Sequence, residues 1–445
     1  MNLLEAVLNA FRLPELRNKL LVTAGLLAGY RVLANVSIPG ASQQALDTLF
    51  SGKQLLGLIN LFSGGGLAQF SVVALGITPY ITASIIMQLM TVVSERIKQL
   101  QKEGGEIGRR RITRWTRYLT TALAFSQSYA ITVIFQRTDP AILPPQMSLF
   151  QRVTIMFTIT CGTIVAMWLG ELISEHGIGN GISLIIFAGI LARGPQTVYG
   201  AIISNLKGGG LADYLPLVIL AILAVVAVAF IIEIQQAVRK IPIQSAQRLA
   251  GGRTVQGRQS FLPLRVNAAG VIPIIFAISL LGLPQMIASY LKGADQSTWY
   301  AHVGNWIYDN FTSSGPNLPA VIGYNLIYFL LIFGFTYFYT SVTFDVHDVA
   351  DNLRRASSFI PGIRPGEPTA EYLGRVMNRI TLVGALFLGL ITVGLPIAAS
   401  KISSIPPQQL SLGGAGLLIV VGVALDTMRQ LETQLVMRQY RGFIK

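Results

Sequence analysis

Charge is scarce in this 445-residue sequence. Asp, Glu, Lys and Arg together make up 12% of it, against roughly 25% in a soluble globular domain. The deficit excludes an ordinary water-soluble fold, because too few ionised side chains remain to cover a surface. Cysteine is nearly absent: Cys161 stands alone inside an apolar run, which offers neither a disulfide nor a metal-binding pair. The three histidines, His176, His302 and His347, are far apart and fall in loops between the apolar runs. No HExxH pattern and no GxxxxGK[ST] phosphate loop occurs. The GIGNG stretch (177–181) has glycines spaced as GxGxG with no strand pattern before it. It reads as a tight turn into the next helix, with Asn180 near the N-cap.

Ionisable residues are also missing from the centres of the apolar runs. Arg31, Glu233 and Asp426 lie near run ends, and Arg193 lies where the fifth run loses its apolar character. An ion-coupled transporter needs charged or titratable groups at mid-depth, and an intramembrane enzyme needs a catalytic pair there. Neither is evident, which leaves a conduit or a structural scaffold.

What the sequence has is apolar length. Hydrophobic residues make up 52% of the chain, and the mean hydropathy is +0.57. A bilayer core is crossed by roughly 20 apolar residues in a helix. Ten runs approach that length, near 20–38, 71–93, 118–136, 153–170, 182–203, 214–234, 266–290, 319–341, 380–399 and 411–428. The first run is long enough to be a span rather than a cleaved signal peptide. Most of the 34 Lys and Arg residues fall before the first run, after even-numbered runs and after the last. That bias predicts ten spans with both termini in the cytoplasm.

The piece between the first two runs, LLGLINLFSGGGLAQF (55–70), is apolar but too short to cross. Gly64, Gly65 and Gly66 would break a helix there, each costing about 1 kcal/mol. A re-entrant half-helix and an external loop on the interface are equally compatible with these residues. Pro79 in the second run and Pro273 and Pro284 in the seventh are expected to bend or loosen those spans without adding charge.

Two loops on the cytoplasmic side exceed what a connection needs. Residues 235–267 alternate on either side of a basic, glycine-containing centre, the pattern of a strand pair with a basic tip. Residues 343–379 include FIPGIRPGEPT (359–369), whose prolines and glycines predict a stiff loop holding Arg364 at a bend. Such loops suit an anionic partner, ribosomal RNA for instance; their charges are equally explained by topology alone.

Five stretches carry a resemblance: ALGITPYITASIIMQLM (74–90), GIGNGISLIIFAGI (177–190), NAAGVIPIIFA (267–277), FIPGIRPGEPT (359–369) and LLIVVGVALD (417–426). In order and spacing they resemble the SecY family, the channel subunit of the bacterial protein-translocation complex. The resemblance implies an all-α integral membrane fold: ten transmembrane helices in two pseudo-symmetric halves, 1–205 and 206–445, around an hourglass pore. The pore ring would be Ile77, Ile81, Ile182, Ile186, Ile275 and Ile419. A short re-entrant plug at 57–70, including Asn60, Phe62, Ser63, Gly64 and Gly65, would fill the external funnel. Thr82 and Gln127 would sit at a lateral gate. Arg253 and Arg364, in cytoplasmic loops 235–265 and 343–379, would engage SecA or the ribosome; Gly252 stands where the family often has a second basic residue beside Arg253. The implied function is translocation of unfolded preproteins across, and lateral insertion of membrane proteins into, the bacterial plasma membrane. Its implied partners are SecE, SecG, the SecA motor ATPase, the ribosome, signal sequences, the nascent or unfolded polypeptide and membrane lipids, with no cofactor and no metal.

Overall fold

A computed structural model of the chain describes residues 13–42, 44–46, 63–102, 104–137, 141–144, 146–205, 211–245, 248–250, 253–255, 259–291, 299–311, 317–402 and 413–442. The first half contains α1 (Pro14–Asn35), α2 (Thr78–Val93), α3 (Glu95–Lys102), α4 (Gly105–Arg137), α5 (Leu149–His176) and α6 (Gly181–Asn205). The second contains α7 (Leu211–Gln236), strands β1 (Val238–Ser245), β2 (Arg248–Ala250), β3 (Arg253–Val255) and β4 (Gln259–Arg265), then α8 (Ile272–Leu291), α9 (Trp299–Asn310) and α10 (Leu318–Thr343). After these come α11 (Val346–Arg355), β5 (Ser358–Phe359), α12 (Glu367–Gly389), a π-helical turn (Leu390–Gly394), α13 (Leu395–Ile402) and α14 (Gly414–Gly442).

Among the described residues, six helices are long and apolar enough to cross a membrane, and three shorter apolar helices cover Thr78–Val93, Gly181–Ala192 and Ile272–Gly282. The long apolar helices leave hydrophobic faces uncovered. On α7, Val218, Ile222, Val225 and Val226 are more than half exposed, and their three- and four-residue spacing puts them on one stripe. On α10, Leu318, Ile322, Leu326 and Leu330 repeat every fourth residue and are likewise exposed. Stripes of this size are rare on water-facing surfaces and mark faces that lipid or another apolar surface covers.

Proline marks where helices begin more than where they bend. Pro79 occupies the first turn of α2, and Pro273 is the second residue of α8. A proline there loses nothing, because the first amides of a helix have no intrahelical partner anyway. The expected mid-span bends at these two positions are therefore replaced by helix starts, and residues 72–77 form turns ahead of α2. Pro284 does lie inside α8. The ninth apolar run is interrupted instead by the π turn. Pro396, just beyond it, has no N–H to give the Thr392 carbonyl, so the regular ladder fails there.

The histidines also sit on helices rather than in irregular loops. His176 ends α5, His302 lies in α9, and His347 lies in the first turn of α11.

The two long loops meet. β1 and β4 pair antiparallel from Val238 with Arg265 to Gln244 with Gln259, the strand pair that alternation predicted. β5, from the other loop, adds to β1 at Gln244 and Ser245, giving the order β4-β1-β5. Ile241, Leu264, Ile360, Leu373 and Ile380 bury a small core beneath this sheet. Each loop covers apolar surface of the other.

Candidate functional site

The largest apolar cluster brings together the six isoleucines singled out by motif position. Ile77, Ile81, Ile186, Ile275 and Ile419 are buried in it, and Ile182 packs against it partly buried. They arrive from the start of α2, from α6, α8 and α14. On α2 and α6 the four-residue spacing puts each pair on one helix face. The GIGNG turn launches α6 as expected: Asn180 Oδ1 accepts the Ser183 amide at 3.2 Å. The buried members of the cluster are all apolar side chains apart from the hydroxyls of Tyr30, Tyr324 and Tyr328.

One face of the cluster is closed by the glycine-rich turn at 63–70. The Tyr30 hydroxyl, fully buried on α1, donates to the Ser63 carbonyl at 3.0 Å. Arg31 Nη1 donates to the Gly64 carbonyl at 2.6 Å. Ser63 Oγ accepts the Leu67 amide. Gly64 has φ +62° and lies against Gly189 of α6, where an added Cβ would sit 2.5 Å from the Gly64 Cα. Only glycine permits that approach. Ser63, Gly64 and Gly65 thus lie on successive turns docked on α1 and α6, while Asn60 and Phe62 lie outside the described residues.

Along the other side, α2 and α4 both pack on α8. Thr82 and Gln127 are buried on α2 and α4. They do not pair with each other: Thr82 donates back to the Thr78 carbonyl, and Gln127 Oε1 has no hydrogen-bond partner among the described residues.

Arg364 is exposed at the bend predicted for it. Its carbonyl accepts the Thr369 hydroxyl at 2.8 Å, between Gly362 (φ +82°) and Gly366 (φ +101°). Arg253 opens β3, which pairs with β2, so the basic tip carries a second small hairpin.

Sequence reasoning passed over the polar space one turn from the ring. A cavity of about 660 Å³ is lined by, among others, Ser183, Gln235, Arg265, Asn267, Asp426 and Arg429. Asn267 and Asp426 lay inside the recognised motifs, but their isolation from the loop charges gave no reason to group them. It also passed over Gly189, whose need to be glycine exists only once Gly64 is placed against it.

Solved structures share this architecture. One described as SecY, with a plug domain that stabilises the closed translocation channel and maintains a membrane seal, superposes with a TM-score of 0.66 at 20% identity. It covers 94% of this chain and 92% of that one. Sec61 in a canine ribosome–channel complex from the endoplasmic reticulum gives 0.61 at 19% identity, covering 94% and 93%. The fold is therefore that of the helical membrane channels. Sequence narrows the class further: the SecY family model matches residues 71–428. The protein translocase subunit SecY of Streptomyces galbus is 41% identical over 455 residues, covering 100% of both chains. The chain belongs to the SecY family.

Proposed function

We propose that this chain is the pore-forming subunit of a channel that passes unfolded polypeptides across the bacterial plasma membrane and releases apolar segments sideways into lipid. The observation that carries the reading is the uncharged cluster of six isoleucines drawn from both halves of the chain, capped by a glycine-rich turn. Such a ring closes without reading charge, which suits a substrate of varied side chains.

In this reading the protein crosses the bilayer ten times with both termini cytoplasmic, in halves 1–205 and 206–445. Residues 57–70 are the plug, and the seam of α2 and α4 against α8 is the lateral gate, with Thr82 and Gln127 in it. A signal sequence parts the seam, the plug leaves, and the isoleucines close around an extended chain. Apolar segments then partition outward, favoured by about 0.3 to 0.6 kcal/mol for each Leu, Ile, Phe or Val. The chain shows no nucleotide-binding motif, so direction comes from outside: SecA or a translating ribosome, docked at Arg364 and the β2–β3 tip, with SecE and SecG as the remaining subunits.

The test is single-channel conductance of the purified complex in a planar bilayer, comparing wild type with a deletion of residues 57–67. Frequent large openings after deletion only are expected. Silence in both, with the complex folded and inserted, would return the scaffold reading to first place.

A further inference from the structure

We infer that α9 is an anchor lying in the outer headgroup layer of the bilayer, with Trp299, Val303 and Trp306 seated at the boundary between headgroups and acyl chains. The occupant of this face is phospholipid. The inference rests on the membrane-spanning reading of the chain and adds a lipid contact that lies outside every span.

Connectivity places α9 at one end of the helices. α8 follows β4 and runs 20 residues to Leu291, about 30 Å. α10 ends at Thr343 and leads into α11 and β5, and β5 belongs to the sheet of β1 and β4. α8 and α10 pack together, so the ends that α9 joins are the ends away from the sheet. The bias of basic residues makes that side the outer one. α9 itself is 12 residues long, about 18 Å, too short to cross. It packs on α8, and Phe311, just past its end, meets the Tyr324 ring of α10 edge-on with centroids 5.2 Å apart.

The exposed face has the chemistry of an interface. Trp299 is 77% exposed, Val303 43% and Trp306 66%. At roughly 100° per residue these three fall within an arc of about 80°, while Gly304, on the far side, is buried. His302 beside them is exposed as well, and Asp309 and Asn310 close the helix. The element is therefore too polar for the acyl core, yet it presents two indoles outward. An indole pairs an apolar body with one N–H donor, which suits a layer that is apolar below and hydrated above. Asn310 Nδ2 donates to the Trp306 carbonyl at 2.9 Å, giving a partner to one of the carbonyls that a helix end leaves open. The apolar surface continues onto both neighbours. Leu318, where the α10 stripe begins, and Ile287, near the outer end of α8, are more than half exposed. This continuity with the surface that the spanning reading gives to lipid selects phospholipid as the occupant. Held there, α9 braces the outer end of α8, one wall of the proposed gate seam.

The test measures spin-label depth in the complete complex in phospholipid vesicles, in a Cys161→Ser background with cysteine-free partner subunits. A nitroxide is attached in turn to Val303→Cys, to Leu326→Cys on the α10 stripe and to Ser357→Cys beside the sheet. Its collisions with oxygen and with a water-soluble nickel chelate are compared. Residue 303 is expected about 5–10 Å into the headgroup and acyl boundary, shallower than residue 326 and deeper than residue 357. Trp299→Ser combined with Trp306→Ser should bring residue 303 to the aqueous value while residue 326 keeps its depth. Residue 303 as open to nickel as residue 357, with residue 326 in the acyl core, would overturn the anchor and leave the spans standing. Residue 303 shielded from both reagents would put another subunit over α9 and overturn it equally. An unchanged depth at residue 303 in the double serine variant would overturn the indoles as its hold. Residue 326 open to water would overturn the spanning reading itself.

Discussion

Two glycines decide how closely the 63–66 turn seats on α6. Gly64 and Gly189 touch through bare Cα atoms, and an added methyl at 189 would come within 2.5 Å of the Gly64 Cα. Gly189→Ala is expected to lift the 63–66 turn from α6 and raise the frequency of channel openings, read by single-channel recording. A closed current as low as wild type would show that the turn does not cap the pore. Tyr30→Phe acts on the same turn by another route. It removes one of two donors to the Ser63 carbonyl, which keeps the Gly66 amide at 3.1 Å, at about 0.5–1.5 kcal/mol for one lost hydrogen bond, and should loosen the turn without any steric push. At the proposed ring, Ile275→Asn puts a hydrated side chain where the conduit reading requires water to be excluded. A steady ion leak in the resting complex is the expected outcome, measured by vesicle dye or ion efflux; vesicles as tight as wild type would remove Ile275 from the constriction.

The elements outside the bilayer are built by exchange between loops. β5 contributes only two residues, yet it adds the edge strand to β1, and Ile360 beside it joins the core below the sheet. This fixes the segment that presents Arg364. Because the Thr369 hydroxyl bonds the Arg364 carbonyl rather than its guanidinium, Arg364→Ala leaves the bend intact. Its stability should stay within about 0.5 kcal/mol of wild type, while motor-driven translocation and ribosome binding fall. Gly366→Ala separates shape from charge. At φ +101° it strains the bend, so docking and thermal stability should drop together. A normal melting curve with normal translocation in Arg364→Ala would place the docking surface elsewhere.

For the whole molecule, the distribution of basic residues predicts that the side carrying the β-sheet faces the cytoplasm. Ser357, in the turn between α11 and β5, belongs to the side that carries the β1–β4 sheet. With Cys161→Ser as background, Ser357→Cys should react with a membrane-impermeant maleimide in inside-out vesicles and resist it in intact cells. Labelling from the outside would reverse the topology.

Much of this molecule was legible from its composition and periodicity. The apolar runs, the strand pair at 238–265, the helix start after Asn180 and the bend at Arg364 all follow from local chemistry: lipid requires unbroken apolar length, and turns require particular residues. Other features depended on partners distant in sequence. Pro79 and Pro273 looked like mid-span bends because apolar run length does not reveal where a helix starts, and here turns precede both helices. The necessity of Gly189, the joining of two loops into one sheet, and the unpaired amides of Gln235 and Asn267 exist only once remote segments are packed together. Sequence by itself determined that the chain lives in a bilayer and keeps charge away from the centres of its apolar runs, because the solvent acts on each residue separately. Tertiary structure alone decided how the glycine-rich turn seats on α1 and α6 and where the polar cavity lies, because close packing and hydrogen-bond satisfaction belong to pairs of residues, not to single ones.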